Sequence, residues 1–357
     1  MGRVIRMHAV IVALGIAALP LVGAAQTPAA GGADLGALKA YMVEHAAAMR
    51  AGTAELVELA SRYHDLAAAS GFDYQALWAS EPGEIAPLLI EARTVWTRDA
   101  HGNYELNEGM VAGIPSLSYF DELIDAGPSK AEDPAGALDI QVALPSGAVL
   151  DGPGNYFHLL TEPTLWGTDD AYVGLRVDMD GDGAVELGEA LPDADVLLGG
   201  AQALDAGTAE LQAAIAAWEP TVDDAFTALV VMVPTMGGYF EEWKLSPFVL
   251  GAESTQTGFV ANSRLLDVLG ILGGLDRTYA TVAPLVAAED PAMEAQIRRE
   301  LDGGVAFVQE LADREAAGAR FTPEQADQFG AELQNRATAL AGQIAQAAAL
   351  LDVTIAE

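Results

Sequence analysis

The chain has 357 residues, of which 51% are hydrophobic, and a formal charge of −35. That balance supplies enough apolar surface for a folded core and argues against an acidic disordered chain, while its field repels nucleic acid and anionic lipid and draws cations. With no cysteine and five histidines, disulfide frameworks, lipid-attachment cysteines and thiolate metal sites are excluded.

Arg3 and Arg6 precede an apolar run over residues 9–22 and the small residues Gly23, Ala24 and Ala25. This is the pattern of a secretory signal peptide, residues 1–25, cleaved after Ala24 or Ala25. The apolar run is too short to span a bilayer. The expected mature product is a soluble exported protein without a transmembrane segment, periplasmic in a two-membrane bacterium.

After a linker (26–34), an N-terminal helical half is expected over 35–127. Leu35, Leu38, Met42, His45, Met49, Gly52, Leu56, Leu59, Tyr63 and Leu66 recur at steps of three and four, the seam of a long bundle helix. His45 falls on that seam, as a metal ligand or a hydrogen-bonded core histidine. A second helix is expected near 84–96, and residues 98–107 read as polar and turn-rich. Asp121, Glu122 and Asp125 come next, with Asp121 and Asp125 on one helix face.

Pro128, Pro134, Pro145, Pro153 and Pro163 then break any long helix, so residues 128–200 read as an irregular segment with a strand candidate at 138–144. Within it, residues 178–189 match the EF-hand calcium loop. Asp178, Asp180 and Asp182 stand at positions 1, 3 and 5, Gly183 at 6, the Ala184 carbonyl at 7, Glu186 at 9 and Glu189 at 12. Alternating carboxylates in a tight turn converge on one hard cation, and Glu189 closes the shell with two oxygens. The competing reading is an acidic surface turn. The segment entering the loop looks like strand, which favours a single structural Ca2+ loop over a paired regulatory one.

A C-terminal helical half is expected over 201–357. Leu211 to Val233 share a face divided at Pro220, and Leu265, Val268, Leu272, Leu275, Tyr279, Val282 and Val286 repeat the seam. Asp290-Pro291 reads as an N-cap with proline at N1, and Thr322-Pro-Glu-Gln325 as a capping box. The fold class is therefore all-α in the main, with two bundle-like halves around an irregular, proline-rich middle.

No nucleophile elbow, phosphate loop, dinucleotide fingerprint or HExxH motif occurs. Carboxylate clusters remain, Asp121, Glu122 and Asp125 being one and Glu241 and Glu242 another, suited to hard or borderline cations. Either cluster reads equally as a solvated acidic face.

The first-helix segment Leu38-Lys-Ala-Tyr-Met-Val43, the turn led by Gly113, and the run Leu269-Gly-Ile-Leu-Gly-Gly-Leu-Asp-Arg-Thr-Tyr279 with Val282-Ala-Pro-Leu285 and Asp290-Pro291 resemble the imelysin-like family. That family includes the EfeO-type periplasmic iron-uptake proteins. The resemblance implies an all-helical fold of two related bundle halves and a role in binding iron or another divalent metal, with an uptake permease or a haem-type peroxidase as partner. It does not favour peptidase activity. The family's metal motif is G-x-H-x-x-E; aligned on Gly113, this chain has Pro115 for the histidine and Ser118 for the glutamate, while His158 and Glu162 stand four apart in the proline-rich segment. The family's ligands are therefore not carried over. A metal site would instead draw on Asp121, Glu122 or Asp125, on Glu241 or Glu242, and on His45. The alternative function is a calcium-stabilised, non-catalytic interaction protein on the same scaffold.

Exported protein is expected to begin at Ala25 or Gln26. Intact-mass measurement of the periplasmic fraction checks this, and retention of residues 1–24 contradicts it.

Overall fold

A computed structural model describes residues 32–356, so the expected signal peptide and most of the linker lie outside the described residues. Asp34 caps α1 (Leu35–Ala69) by accepting the Ala37 N–H at 3.0 Å. The seam faces inward as expected, with Leu38, Met42, Met49, Leu56, Leu59 and Tyr63 buried. His45 does not reach the floor of that seam. Ala46 takes the inward place, and the half-buried His45 ring sits edge-on to Tyr41 with Nδ1 3.1 Å from Asn103 Oδ1.

Helices α2 (Tyr74–Ser80) and α3 (Pro82–Val95) come next. Residues 98–107, expected to be turn-rich, are helical instead. A π-helical turn, Trp96–His101, runs directly into α4 (Gly102–Val111). The reason is that Glu105, Asn107 and Glu108 are buried. A polarity count assigns such residues to solvent, whereas here they face the interior.

The middle segment is short-ranged but ordered. It contains α5 (Ser118–Asp121), a π turn at Glu122–Ala126, and the antiparallel pair β1 (Gln141–Ala143) and β2 (Val149–Asp151) in the register Val142↔Leu150. A third π turn, Phe157–Thr161, leads into α6 (Glu162–Trp166). The strands β3 (Val173–Arg176) and β4 (Ala190–Pro192) pair antiparallel and frame residues 178–189. Helix α7 (Ala194–Ala217) then starts inside the segment expected to be irregular, capped by Asp193.

The rest is helical: α8 (Val222–Met232), α9 (Met236–Leu245), α10 (Pro247–Leu250), α11 (Arg264–Glu289), α12 (Pro291–Ala316) and α13 (Pro323–Leu350). Pro220 divides α7 from α8, the Asp290 carboxylate accepts the N–H groups of Ala292 and Met293, and Thr322 and Gln325 form the expected reciprocal box. The molecule is thus mainly helical, with two short strand pairs among the described residues. No helix among them is long and apolar enough to cross a membrane.

The helices do not group by sequence half. Helix α7 returns to pack on α1, while α8, α9, α12 and α13 gather around α11 and one another. Helix α4 joins the two groups, touching α1 on one side and α11 on the other. Its approach to α11 requires glycine. A Cβ at Gly270 would stand 2.8 Å from Glu105 Cβ, and one at Gly274 2.5 Å from the Leu106 carbonyl oxygen. On the α1 side, a Cβ at Gly52 would stand 2.7 Å from the backbone carbon of Asp99, inside the first π turn.

Alanine at an ordinary helix interior position stabilises by about 1 kcal/mol relative to glycine. At Gly52 the sign should reverse, because overpacking against backbone costs about 1–3 kcal/mol. Urea denaturation of Gly52→Ala checks this, with a lowered midpoint expected.

Candidate metal centre

Each of the three π turns delivers one side chain to the same place. His101 ends the first, Asp125 lies in the second and His158 in the third. A single π turn inserts one residue into a helix and re-aims the residues beyond it, and such turns concentrate at functional sites. Helix α4 adds Glu105 and Glu108 on one face, α6 adds Glu162, and the first turn of α11 adds Arg264 and Asp267. All eight are no more than 4% exposed.

The two imidazoles meet edge to face, with Nε2 atoms 3.3 Å apart. Asp125 Oδ1 is 3.1 Å from His158 Nε2 and 4.0 Å from His101 Nε2, and Glu105 Oε1 is 3.0 Å from His101 Nε2. The ligand atoms of His101, Asp125 and His158 all lie within 4.8 Å of one another, as do those of Glu105, Glu108 and Asp125, and those of His101, Glu105 and Asp267.

Around this centre the remaining groups are tied down. His158 Nδ1 is 2.6 Å from Glu162 Oε2, and Glu162 accepts the backbone N–H groups of Phe259, Val260 and Ala261 at 2.8, 2.7 and 2.7 Å. A carboxylate behind a histidine fixes its ring and turns the other nitrogen toward the centre. Trp96 stacks on His101 at 4.9 Å and donates its indole N–H to Thr161 Oγ1 at 2.7 Å. Arg264 donates to Glu242 Oε2 and Asp267 Oδ2, both at 2.7 Å, beneath the rings of Tyr239 and Phe259.

The electrostatics reflect burial and these pairings. Burial opposes the charged form of His158, but Asp125 and Glu162 outweigh it and raise the imidazole to about 10. Burial also pushes Asp125 upward, and His158, backed by Arg264 and His101, overcomes it and holds the carboxyl at about 2. His101 is lowered, chiefly by burial. Burial, then Asp267 and Asp125, push Glu105 well above the carboxylate range, and burial with Glu105 does the same to Glu108. His101 Nδ1, both oxygens of Glu105 and Glu108 Oε2 are buried and make no hydrogen bond, the 3.0 Å approach of Glu105 Oε1 to His101 Nε2 being an ion-pair contact only.

A cleft of ≈ 610 Å³ opens over the Asp125 and His158 side of the cluster, with Arg264, Tyr239, Glu242 and Gln256 among its walls.

Of the acids singled out from the sequence, Asp125 belongs to the cluster and Glu242 touches it through Arg264. Asp121 accepts a 2.7 Å hydrogen bond from Tyr104 and is raised to about 7 by burial and by Asp125, although Tyr104 works the other way. Glu122 is exposed outside the cluster, Glu241 is exposed and pairs with Lys244, and His45 stays at Asn103. Pro115 is exposed and Ser118 donates only to the Pro115 carbonyl oxygen, so the Gly113 turn carries no ligand. His101, Glu105, Glu108, Arg264 and Asp267 escape the sequence reading, which notes His158 and Glu162 as four apart but does not choose them as ligands. The available signal was the pair His101/Glu105 and the pair His158/Glu162, each i,i+4 and so on one helix face.

In the acidic loop, the carboxylates turn onto the backbone of the loop itself. Asp178 accepts from Gly181 and Gly183, Asp180 from Asp182, Asp182 from Ala184, and Glu189 from Met179, Asp180 and Glu186. Ligand oxygens of Asp178, Asp180 and Glu189 lie within 4.8 Å of one another, and strands, not helices, flank the loop.

The family model described as Imelysin (Peptidase M75) matches residues 157–347. The chain belongs to the imelysin family. The match begins at the third π turn, so it takes in His158, Glu162, Arg264 and Asp267 as well as the acidic loop, and it leaves α1, α4 and the Gly113 turn outside. No curated protein matches this imelysin chain.

Removing one partner of a buried ion pair costs about 3–5 kcal/mol, and Glu162→Ala also strands three backbone N–H donors. That variant should lose stability on this scale in urea denaturation, whereas Glu241→Ala, at the surface, should leave the midpoint unchanged.

Proposed function

We propose that this imelysin protein is an exported metal-binding protein that holds a first-row transition ion, iron being the leading candidate, on His101, His158 and Asp125. The observation that carries this reading is the convergence of two buried histidines and several buried carboxylates within ligand distance of one another, where His101 Nδ1, both oxygens of Glu105 and Glu108 Oε2 make no hydrogen bond. Unpaired buried acids are strongly unfavourable, and a cation satisfies them together. Two imidazoles with a carboxylate suit iron, manganese, zinc or copper in preference to calcium. Glu162 would orient His158, Trp96 would wall off one face of His101, and the cleft beside Asp125 gives the ion a way in.

The reading is of a metal-holding component of iron or other divalent-metal acquisition, with a permease or peroxidase as partner, and not of a peptidase. The donors are turned toward one another beneath the cleft, which suits holding an ion. Residues 178–189 fit a separate structural role: with the donors Asp178, Asp180, Asp182, Ala184, Glu186 and Glu189, the loop takes Ca2+, whose all-oxygen preference it matches.

Titration with ferrous iron, manganese and zinc should show tight binding that drops at least tenfold in His101→Ala and in His158→Ala. Equal binding by both variants and wild type defeats the proposal. For the loop, calcium should raise the melting temperature by an amount set by free calcium over Kd. Glu189→Ala should remove most of that rise; a melting curve indifferent to calcium and to chelator counts against the loop site.

A further inference from the structure

The cluster contains more donors than one ion uses. Glu162 is satisfied by His158 and three backbone N–H groups, and Asp267 by Arg264. An ion on His101, His158 and Asp125 would account for those three. Glu105 and Glu108 would still be left over, three residues apart on one face of α4 and 3% and 2% exposed. Glu105 Oε1 has only the 3.0 Å approach of His101 Nε2, the nitrogen an ion in the first set would take, and neither Glu105 oxygen makes a hydrogen bond, while Glu108 has only the Tyr239 hydroxyl, which donates to Oε1. Their carboxylates form a second ligand set with Asp125, and Asp125 is also a member of the histidine set.

We propose that the buried cluster binds two cations side by side: one on His101, His158 and Asp125, the other on Glu105, Glu108 and Asp125, with Asp125 bridging them. The inference rests on the metal reading above. The second subsite is built of carboxylate oxygen alone and therefore selects a harder ion than its neighbour, such as manganese(II), magnesium or ferric iron. Close packing of α4 on α11 through Gly270 holds Glu105 in place, and Tyr239 fixes Glu108 from the cleft side. Occupation of both subsites would leave none of the buried Asp and Glu side chains among the described residues, Glu105, Glu108, Asp125, Glu162 and Asp267, without a partner. A bridged pair differs in kind from a single ion, because two paramagnetic ions sharing a carboxylate are magnetically coupled.

The test is manganese(II) loading of the full chain, with bound metal counted by elemental analysis and the ions examined by electron paramagnetic resonance. Wild type should show a coupled-pair signal from the cluster. The acidic loop contributes only an isolated-ion signal, and contributes it equally in every variant. Glu108→Gln keeps the Tyr239 contact and should lose one bound ion per chain together with the coupled signal. Glu105→Gln should do the same, so that one misfolded variant does not decide the matter. His158→Ala should lose the coupling as well. If wild type gives a histidine-dependent isolated ion and no coupling, or if both glutamine variants keep it, the two-ion proposal is overturned while the metal reading stands. If binding in the cluster does not depend on His158 or His101, both fall.

Discussion

A carboxylate taken out of water must find a cation or several hydrogen-bond donors, and the interior of this protein is organised around that requirement. Glu162 meets it with His158 and the three amides of residues 259–261, and Asp267 meets it with Arg264. The segment 259–261 has no regular structure of its own, so Glu162 serves as its hydrogen-bonding partner as well as the support of a histidine. Arg264 works in two directions, joining α11 to α9 through Glu242 while lying against aromatic rings. Glu105 and Glu108 are the groups for which the protein itself supplies least, and they define where an added cation is most favourable.

Geometry makes this possible at the level of the backbone. In each of three separate segments one side chain, His101, Asp125 or His158, has to aim at the centre while its neighbours stay on the apolar core. A π turn adds a residue and rotates the register, which separates the two demands. Close glycine contacts do the complementary work. Gly52, Gly270 and Gly274 let α1 and α11 approach the π turn and α4 to distances that a Cβ would forbid, and this brings Asp267 within 4.0 Å of the His101 ring.

The acidic loop and the buried cluster differ in donor chemistry yet are mechanically connected. The Gly188 N–H donates to the Trp166 carbonyl oxygen at 3.1 Å, the Trp166 ring lies 5.3 Å from Trp96, and Trp96 stacks on His101. Arg93, drawn down to about 10 by burial although Glu189 acts in the opposite sense, donates to the carbonyl oxygens of Leu165 at 2.8 Å and Ala190 at 3.5 Å and so links the loop's exit to α6. The two regions therefore share one aromatic wall, with the loop outside it and the histidines inside.

The helical class, the seam of α1, the caps at Asp290 and Thr322, the break at Pro220, and the family through the glycine-rich run of α11 are all legible in the amino-acid order. Those features depend on neighbours a few residues away, which is the range that periodicity and capping report. The acidic loop is legible as a spacing for the same reason. The candidate centre belongs to the packed molecule instead. His101 and Glu105 lie in a stretch whose polarity reads as solvent-facing turn, and His158 and Glu162 in one whose prolines read as irregular. Asp125 cannot be told from Asp121 or Glu122 without knowing which side faces inward. Polar residues that face one another in an interior leave no periodic trace, because the groups that satisfy them come from helices more than a hundred residues apart in some cases, such as Arg264 and Asp267 beside His101. Only the packed arrangement of α4, α6 and α11 brings those charges within reach of one another.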